Sequence, residues 1–168
     1  MSRGFVREDD QEEPVFVPKR APVPPGFDNL VTPRGLRLLQ EELAGLVQAR
    51  AAVETPEGAE RRRALAEING RIALLDERLA SARLVEPEHP APRQVRFGST
   101  VTFRMQTGPQ QGAERTFTLV GADEAKVAEG RIAFTAPVAQ ALMGLEAGSS
   151  IEFRAGDRMQ TILVTGVR

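Results

Sequence analysis

The sequence predicts an α+β protein: an N-terminal antiparallel α-helical coiled-coil hairpin, then an antiparallel β-sheet domain with one short helix. Three observations predict it. Two runs within residues 32–86 place apolar or small residues at alternating spacings of three and four, the seam of a heptad. A Pro- and Gly-containing break separates the runs. Beyond a cluster of prolines near residue 90 the apolar period shortens to two, the spacing of strands. The expected divisions are a tail over 1–30, the hairpin over 31–86, a linker over 87–93 and the sheet domain over 94–168.

The tail gathers Glu8, Asp9, Asp10, Glu12 and Glu13, followed by Pro14, Pro18, Pro22, Pro24 and Pro25. Self-repulsion and proline together oppose a packed core, so residues 1–30 are expected to be a disordered, solubilising leader. Phe5-Val6 and Val15-Phe16-Val17 interrupt it as candidate docking points. Because the tail joins helix one at its globular end, it is expected to stay away from the hairpin tip.

Helix one opens at Thr32, a good N-cap, with Pro33 at the first helical position, where a missing N–H costs nothing. Its seam is Leu36, Leu39, Leu43, Leu46 and Val53, with Arg50 standing where an apolar residue was due. Glu54-Thr55-Pro56-Glu57-Gly58 reverses the chain. Helix two runs from near Ala59 to about Leu84, with Leu65, Ile68, Ile72, Leu75, Leu79 and Ala82 on its seam. Each stripe is too narrow to face a bulky core, so the arms should bury each other. Gly70 lies mid-helix at a cost of about 1 kcal/mol, and close packing of the two arms is the expected reason.

Glu86 to Pro92 holds three prolines and cannot continue a helix; the single histidine, His89, reads as an exposed loop residue. Strands are then expected over Ser99–Met105, over a run through Phe117 and Leu119 to Gly121, over Arg131–Phe134, Ile151–Arg154 and Thr161–Val167. Gly108–Gly112 and Ala155-Gly156-Asp157 supply turns, and Pro137 opens a helical turn that ends at Gly144. The expected core is Val101, Phe103, Phe117, Leu119, Ile132, Leu142, Ile151, Phe153, Ile162 and Val164.

Composition narrows function. No apolar run is long enough to span a membrane, and the N-terminal residues lack the apolar core of a secretory signal. With no cysteine there is neither a disulfide framework nor a thiolate metal site, which fits the cytoplasm. One histidine excludes multi-histidine metal sites. A net charge of −1, with no Trp and no Tyr, argues against direct nucleic-acid binding. A monomer without cofactor, acting through a protein partner, is expected.

Several segments carry a family resemblance. Val31-Thr32-Pro33-Arg34-Gly35-Leu36 with Leu39 and Glu41-Glu42-Leu43, then Asn69-Gly70-Arg71-Ile72 through Leu79 and Ala82-Arg83-Leu84-Val85, resemble the two helices of the bacterial Gre transcript-cleavage factors. Phe97-Gly98-Ser99-Thr100-Val101, Leu119 to Ala125, and Ile132 to Gly144 resemble segments of the family's C-terminal domain. The resemblance implies an FKBP-like C-terminal domain that docks at the rim of the RNA polymerase secondary channel, while the coiled coil enters the channel. It also implies that acidic residues at a cleavage factor's tip help hold a second Mg²⁺, a hard cation that prefers carboxylate oxygens and water.

The tip departs from the family. Its acidic Gly-Asp-x-x-Glu-Asn-Ala-Glu-Tyr motif is absent, and the hairpin is shorter than a cleavage factor's by roughly fifteen residues, which removes about 11 Å of reach at 1.5 Å per residue. The length resembles the family's short-hairpin subtype, which includes the regulator of nucleoside diphosphate kinase. Glu54, Glu57 and Glu60 stand at the tip, but Arg50, Arg61, Arg62 and Arg63 sit beside them, the wrong balance for recruiting a cation. The expected role is therefore a non-cleaving regulator rather than an enzyme. Polymerase docking is expected at Phe134, Thr135, Ala136, Pro137 and Ala141, although Thr135 and Ala136 replace the Asp or Asn and the Ser that the family often has. The alternatives are a cleavage-competent factor using Glu54, Glu57 and Glu60, a scaffold pairing with another coiled coil, and a prolyl isomerase. The last would need an aromatic-lined pocket from phenylalanines that the strand pattern assigns to the core.

Overall fold

The computed structural model describes residues 14–54, 58–88 and 90–168. Chain order is β1 (Leu30–Val31), α1 (Pro33–Ala51), α2 (Ala59–Ala80), β2 (Arg83–Leu84), β3 (Thr100–Met105), β4 (Glu114–Val120), a 3-10 turn (Val127–Glu129), β5 (Arg131–Ala133), α3 (Pro137–Leu142), β6 (Ser150–Ala155) and β7 (Arg158–Val167). The architecture is α+β, with the helical hairpin first and the five-stranded sheet second.

Helix α1 starts as its sequence dictates. Thr32 holds extended backbone and its Oγ1 accepts a hydrogen bond from the Gly35 amide at 2.9 Å, with Pro33 in the first turn. The two arms bury Leu39, Leu46 and Leu75 together with Val31, flanked by half-buried Leu36, Leu43, Ile72, Leu79 and Ala82. Burial is concentrated at the globular half of the hairpin. Towards the tip, Val53, Leu65 and Ile68 are only half-buried, and Arg50, standing on the seam, donates from Nη1 to Asn69 Oδ1 at 3.4 Å. Helix α2 ends at Ala80, short of the expected Leu84. The reason is that Arg83–Leu84 turns extended and pairs in parallel with Leu30–Val31, a two-stranded clip closing the hairpin base.

The expectation of a disordered tail does not hold over residues 14–29; residues 1–13 lie outside the described residues. Residues 14–29 form an extended strap along α2, and successive contacts fix its direction. Asn29 donates to the Arg78 carbonyl at 2.8 Å, near the C-terminal end of α2. Arg78 donates in turn to the Ala21 carbonyl. Val17 lies over Gly70, and Pro14, Val15 and Phe16 share a groove with Glu60, Arg63, Ala64 and Glu67. The strap thus runs from the tip to the base, parallel to α2. Prolines suit this role, because they hold the chain extended without donors that the helix surface would leave unpaired. Two expectations change together: the tail reaches the tip end of the hairpin, and Gly70 is explained by the strap, not by the opposing arm.

The sheet has the order β5-β4-β3-β7-β6. The β3–β4, β3–β7 and β6–β7 pairs are antiparallel, whereas β4 and β5 pair in parallel, Leu119 opposite Ile132. The sheet is therefore mixed rather than antiparallel throughout, because the chain crosses over through the 3-10 turn between these strands. Its core joins Val95, Val101, Phe103, Met105, Leu119, Ile132, Phe134, Ala139, Leu142, Ile162 and Val164. Phe117, Ile151 and Phe153, expected inside, are half-buried at its edge, and α3 packs against β6.

Candidate functional site

The segment expected to dock divides into a buried and a surface part. Phe134 is 6% exposed. Its ring meets Phe97 edge-on at 5.2 Å and Phe27 of the strap at 5.8 Å, an arrangement that aromatic quadrupoles favour. Its carbonyl accepts from Gln140 Nε2 at 2.7 Å. A surface formed by this segment consequently consists of exposed Pro137 and Gln140 with half-buried Thr135, Ala136 and Ala141. Ala136 is the N-cap of α3 and makes no side-chain cap bond, while Pro137 occupies the first turn.

At the hairpin tip Glu54 and Glu60 are exposed and Arg61 is half-buried; Glu57 lies outside the described residues. Among the described residues no three acidic or histidine side chains converge on a possible metal position, and no helix is long and apolar enough to cross a membrane. Tip and docking segment are not brought together. Phe134 touches Phe27, two residues from the Asn29 that binds the end of α2, so this segment sits at the base and the tip residues at the opposite end.

Between them lies a polar junction that the sequence reading missed. Arg20 of the strap forms a bidentate pair with Glu42 of α1, Nη1 to Oε1 at 2.8 Å and Nη2 to Oε2 at 3.0 Å. The same guanidinium donates to Asp123 Oδ1 from Nε at 3.0 Å and from Nη2 at 2.8 Å. Hydrogen bonding to Glu42, reinforced by Asp123 against the opposing effect of burial, holds Arg20 above its ordinary value, firmly charged. Asp123 Oδ2 makes no hydrogen bond but lies 3.3 Å from Arg78 Nε, so proximity alone compensates its charge. One arginine thereby ties together the strap, the first arm and the loop after β4.

Beside it, buried Glu124 reaches the start of α1. It accepts from Thr32 Oγ1 and from Arg34 Nη1, the latter at 3.2 Å, while Arg131 Nε donates to the Glu124 carbonyl at 3.1 Å. A carboxylate there meets the positive end of the helix dipole. Two close approaches make room for it. A Cβ on Gly35 would stand 2.9 Å from Glu124 Oε2, and one on Gly121 would stand 2.5 Å from the Leu30 carbonyl oxygen. The junction therefore fixes the hairpin base on the sheet domain. No local pattern announces it: the acids follow a strand, and their arginines stand at positions 20, 34 and 78.

Comparison with known proteins identifies relatives of this chain. Residues 89–168 match the family model described as transcription elongation factor, GreA/GreB, C-term. Transcription elongation factor GreA of Hyphomonas neptunium is 37% identical over 116 residues, covering 67% of this chain and 72% of that protein. GreA of Brucella canis is 32% identical over 150 residues, covering 79% of this chain and 94% of its own length. Among solved structures, Thermus aquaticus Gfh1 aligns with 83% of this chain and 97% of its own, at 19% identity and a TM-score of 0.39. The GreA/GreB factor from Nitrosomonas europaea aligns with 83% and 98%, at 27% identity and a TM-score of 0.38. The chain belongs to the GreA/GreB family of transcription elongation factors.

Proposed function

We propose that this chain binds RNA polymerase at the rim of the secondary channel, as a short-hairpin member of the family that does not stimulate transcript cleavage. The sheet domain, residues 94–168, docks through Thr135, Ala136 and Pro137, and the hairpin, residues 31–86, enters the channel. The junction of Arg20, Glu42, Asp123, Glu124 and Thr32 supports this division of labour, because it makes the hairpin a fixed extension of the docking domain. The observation that carries the non-cleaving reading is the tip itself. Glu54 and Glu60 are exposed beside Arg50 and Arg61–Arg63, and among the described residues no carboxylates converge there. Helix α2 has 22 residues, about 33 Å at 1.5 Å per residue, which sets the reach. In this reading the polymerase owns all the chemistry, and the monomeric factor supplies shape and charge in the cytoplasm.

The test is competition for core RNA polymerase against a GreA cleavage factor, followed by an assay on backtracked elongation complexes. The expected result is mutually exclusive binding with no increase in transcript cleavage. Simultaneous binding would remove the secondary-channel assignment. Stimulated cleavage would instead establish the alternative, in which Glu54, Glu57 or Glu60 contributes.

A further inference from the structure

We propose that a second copy of this chain pairs with the free edge of β6, joining two sheets into one across a two-fold axis. The inference does not depend on polymerase binding; it rests on backbone parity and on charge. β6 ends the sheet order and pairs with β7 alone. The Thr161 carbonyl accepts from the Gln106 amide at 2.8 Å, on the β3 side of β7. Backbone groups alternate sides along a strand, so those of Gln160 and Ile162 face β6. Their partners Phe153 and Ile151 face β7 in return. The N–H and C=O groups of Ser150, Glu152 and Arg154 are left on the open side, and among the described residues no backbone bond from a loop or helix reaches them.

This edge lacks the usual defences against pairing. Native edges are blunted by proline, by bulges, by short strands or by rows of like charge. β6 is six residues long, holds no proline and keeps an unbroken register with β7; the opposite edge strand, β5, has three residues. Glu152 and Arg154 stand exposed on the outer face of β6, and among the described residues neither forms an ion pair. Arg154 Nε donates to the Gly156 carbonyl at 3.1 Å. Charge then selects a register. Antiparallel copies that place Glu152 opposite Glu152, or Arg154 opposite Arg154, set like charges face to face, which is destabilising. The register with Glu152 opposite Arg154 pairs opposite charges, and does so twice because the interface is isologous. It also sets Phe153 opposite Phe153 of the second copy, at a non-hydrogen-bonded pair where Cα atoms approach to about 4.5 Å. These half-buried rings cover each other on the core side of the joined sheet. Because α3 packs against β6, the second copy stands beside Pro137 and Gln140. If docking uses the face proposed above, pairing and polymerase binding exclude each other, and the polymerase-bound form is a single copy.

Sedimentation equilibrium of the purified full chain, from micromolar to millimolar concentration, tests this without polymerase. The expected result is a reversible monomer–dimer equilibrium. Glu152→Arg and Arg154→Glu each set like charges opposite one another twice, so each should raise the dissociation constant about tenfold. The double exchange E152R with R154E restores opposite charges in the same register and should return dimerisation to nearly its original strength. Both positions are exposed, so circular dichroism should show all three variants folded. Amide exchange reads the contact directly. The Glu152 and Arg154 amides should become protected as concentration rises, whereas Ile151 and Phe153 should be protected at every concentration. A chain that stays monomeric to millimolar concentration overturns the proposal. So does a dimer that the double exchange fails to rescue, or one that leaves the Glu152 and Arg154 amides unprotected, since either result places the second copy elsewhere.

Discussion

Val17 and Gly70 are fitted to each other: a Cβ built on Gly70 would stand 2.5 Å from Val17 Cγ2 and 3.3 Å from Cγ1. Valine is branched at Cβ and cannot swing away, so any larger residue at 70 must lift the strap. Gly70→Ala therefore separates two effects. The helix gains about 1 kcal/mol of propensity, while the strap loses its contact. Unfolding of the hairpin by denaturant should shift little or upward. Tryptic cleavage after Arg20 should become several-fold faster. An unchanged cleavage rate would show that the strap does not depend on this contact.

Arg20 is the strap's charged anchor, with a side chain 18% exposed against 10% for Asp123 and 36% for Glu42. Arg20→Met leaves Glu42 unpaired and Asp123 with Arg78 alone. Breaking a partly buried pair should cost about 1–3 kcal/mol, between the surface and fully buried limits. Arg20→Lys should recover only part of it, because an ammonium cannot make both bidentate contacts. Urea denaturation gives the magnitudes. A double change with Asp123→Asn should cost less than the two singles summed, since the residues share one network.

Thr32 and Glu124 join helix and sheet, and their loss should be felt in both. Thr32→Ala removes the acceptor for the Gly35 amide and the donor to Glu124, so a cost at the upper end of the cap range, about 2 kcal/mol, is expected. Gly35→Ala should be comparably damaging although alanine favours helix, because its Cβ would meet Glu124 Oε2 at 2.9 Å. If thermal unfolding shows Gly35→Ala to be stabilising, the close approach carries no energetic weight.

These features mark the limit of what was legible in the sequence. The helix seams could be read because heptad spacing is local, and so could the Thr32-Pro33 start. Val101, Phe103, Leu119, Ile162 and Val164 could be read from strand alternation. The strap could not. Its prolines and acids have the composition of a disordered leader, and its anchor depends on Asp123, 103 residues away. Phe134 was legible as part of a motif but not as a core residue, since its partners Phe27 and Phe97 belong to other segments. The parallel β4–β5 pair was hidden for a similar reason: neighbouring strands in sequence suggest a hairpin, and only the connection through Val127–Glu129 reverses the sense.

Glu129 gives a pH signature. Hydrogen bonds from Lys126 and from Arg131, the latter from Nη2 at 2.6 Å, lower its carboxyl from the ordinary 4.5 to about 2. A depressed acid contributes stability that is present above its unfolded value and is lost as pH falls through the folded one. Any contribution here should therefore vanish between about pH 4.5 and 2. Carboxyl carbon shifts followed by NMR should show a Glu129 midpoint near 2. Lys126→Ala should raise that midpoint more than Arg131→Ala, because the lysine bond is the larger cause.

Ala136 offers the most direct link between local structure and docking. It holds extended backbone, φ −66° and ψ 145°, at the N-cap of α3, yet it has no side-chain oxygen to accept an amide. Serine at this position supplies that acceptor with little added volume, so Ala136→Ser should stabilise the sheet domain by about 1 kcal/mol. The hydroxyl also supplies the group that the family resemblance leads one to expect there, on the surface proposed above for the polymerase. If that surface is the docking face, Ala136→Ser should tighten binding to core RNA polymerase several-fold, and adding Thr135→Asp should tighten it further. A stabilised domain with unchanged polymerase affinity would mean that the cap serves the fold alone and that docking lies elsewhere on the sheet domain.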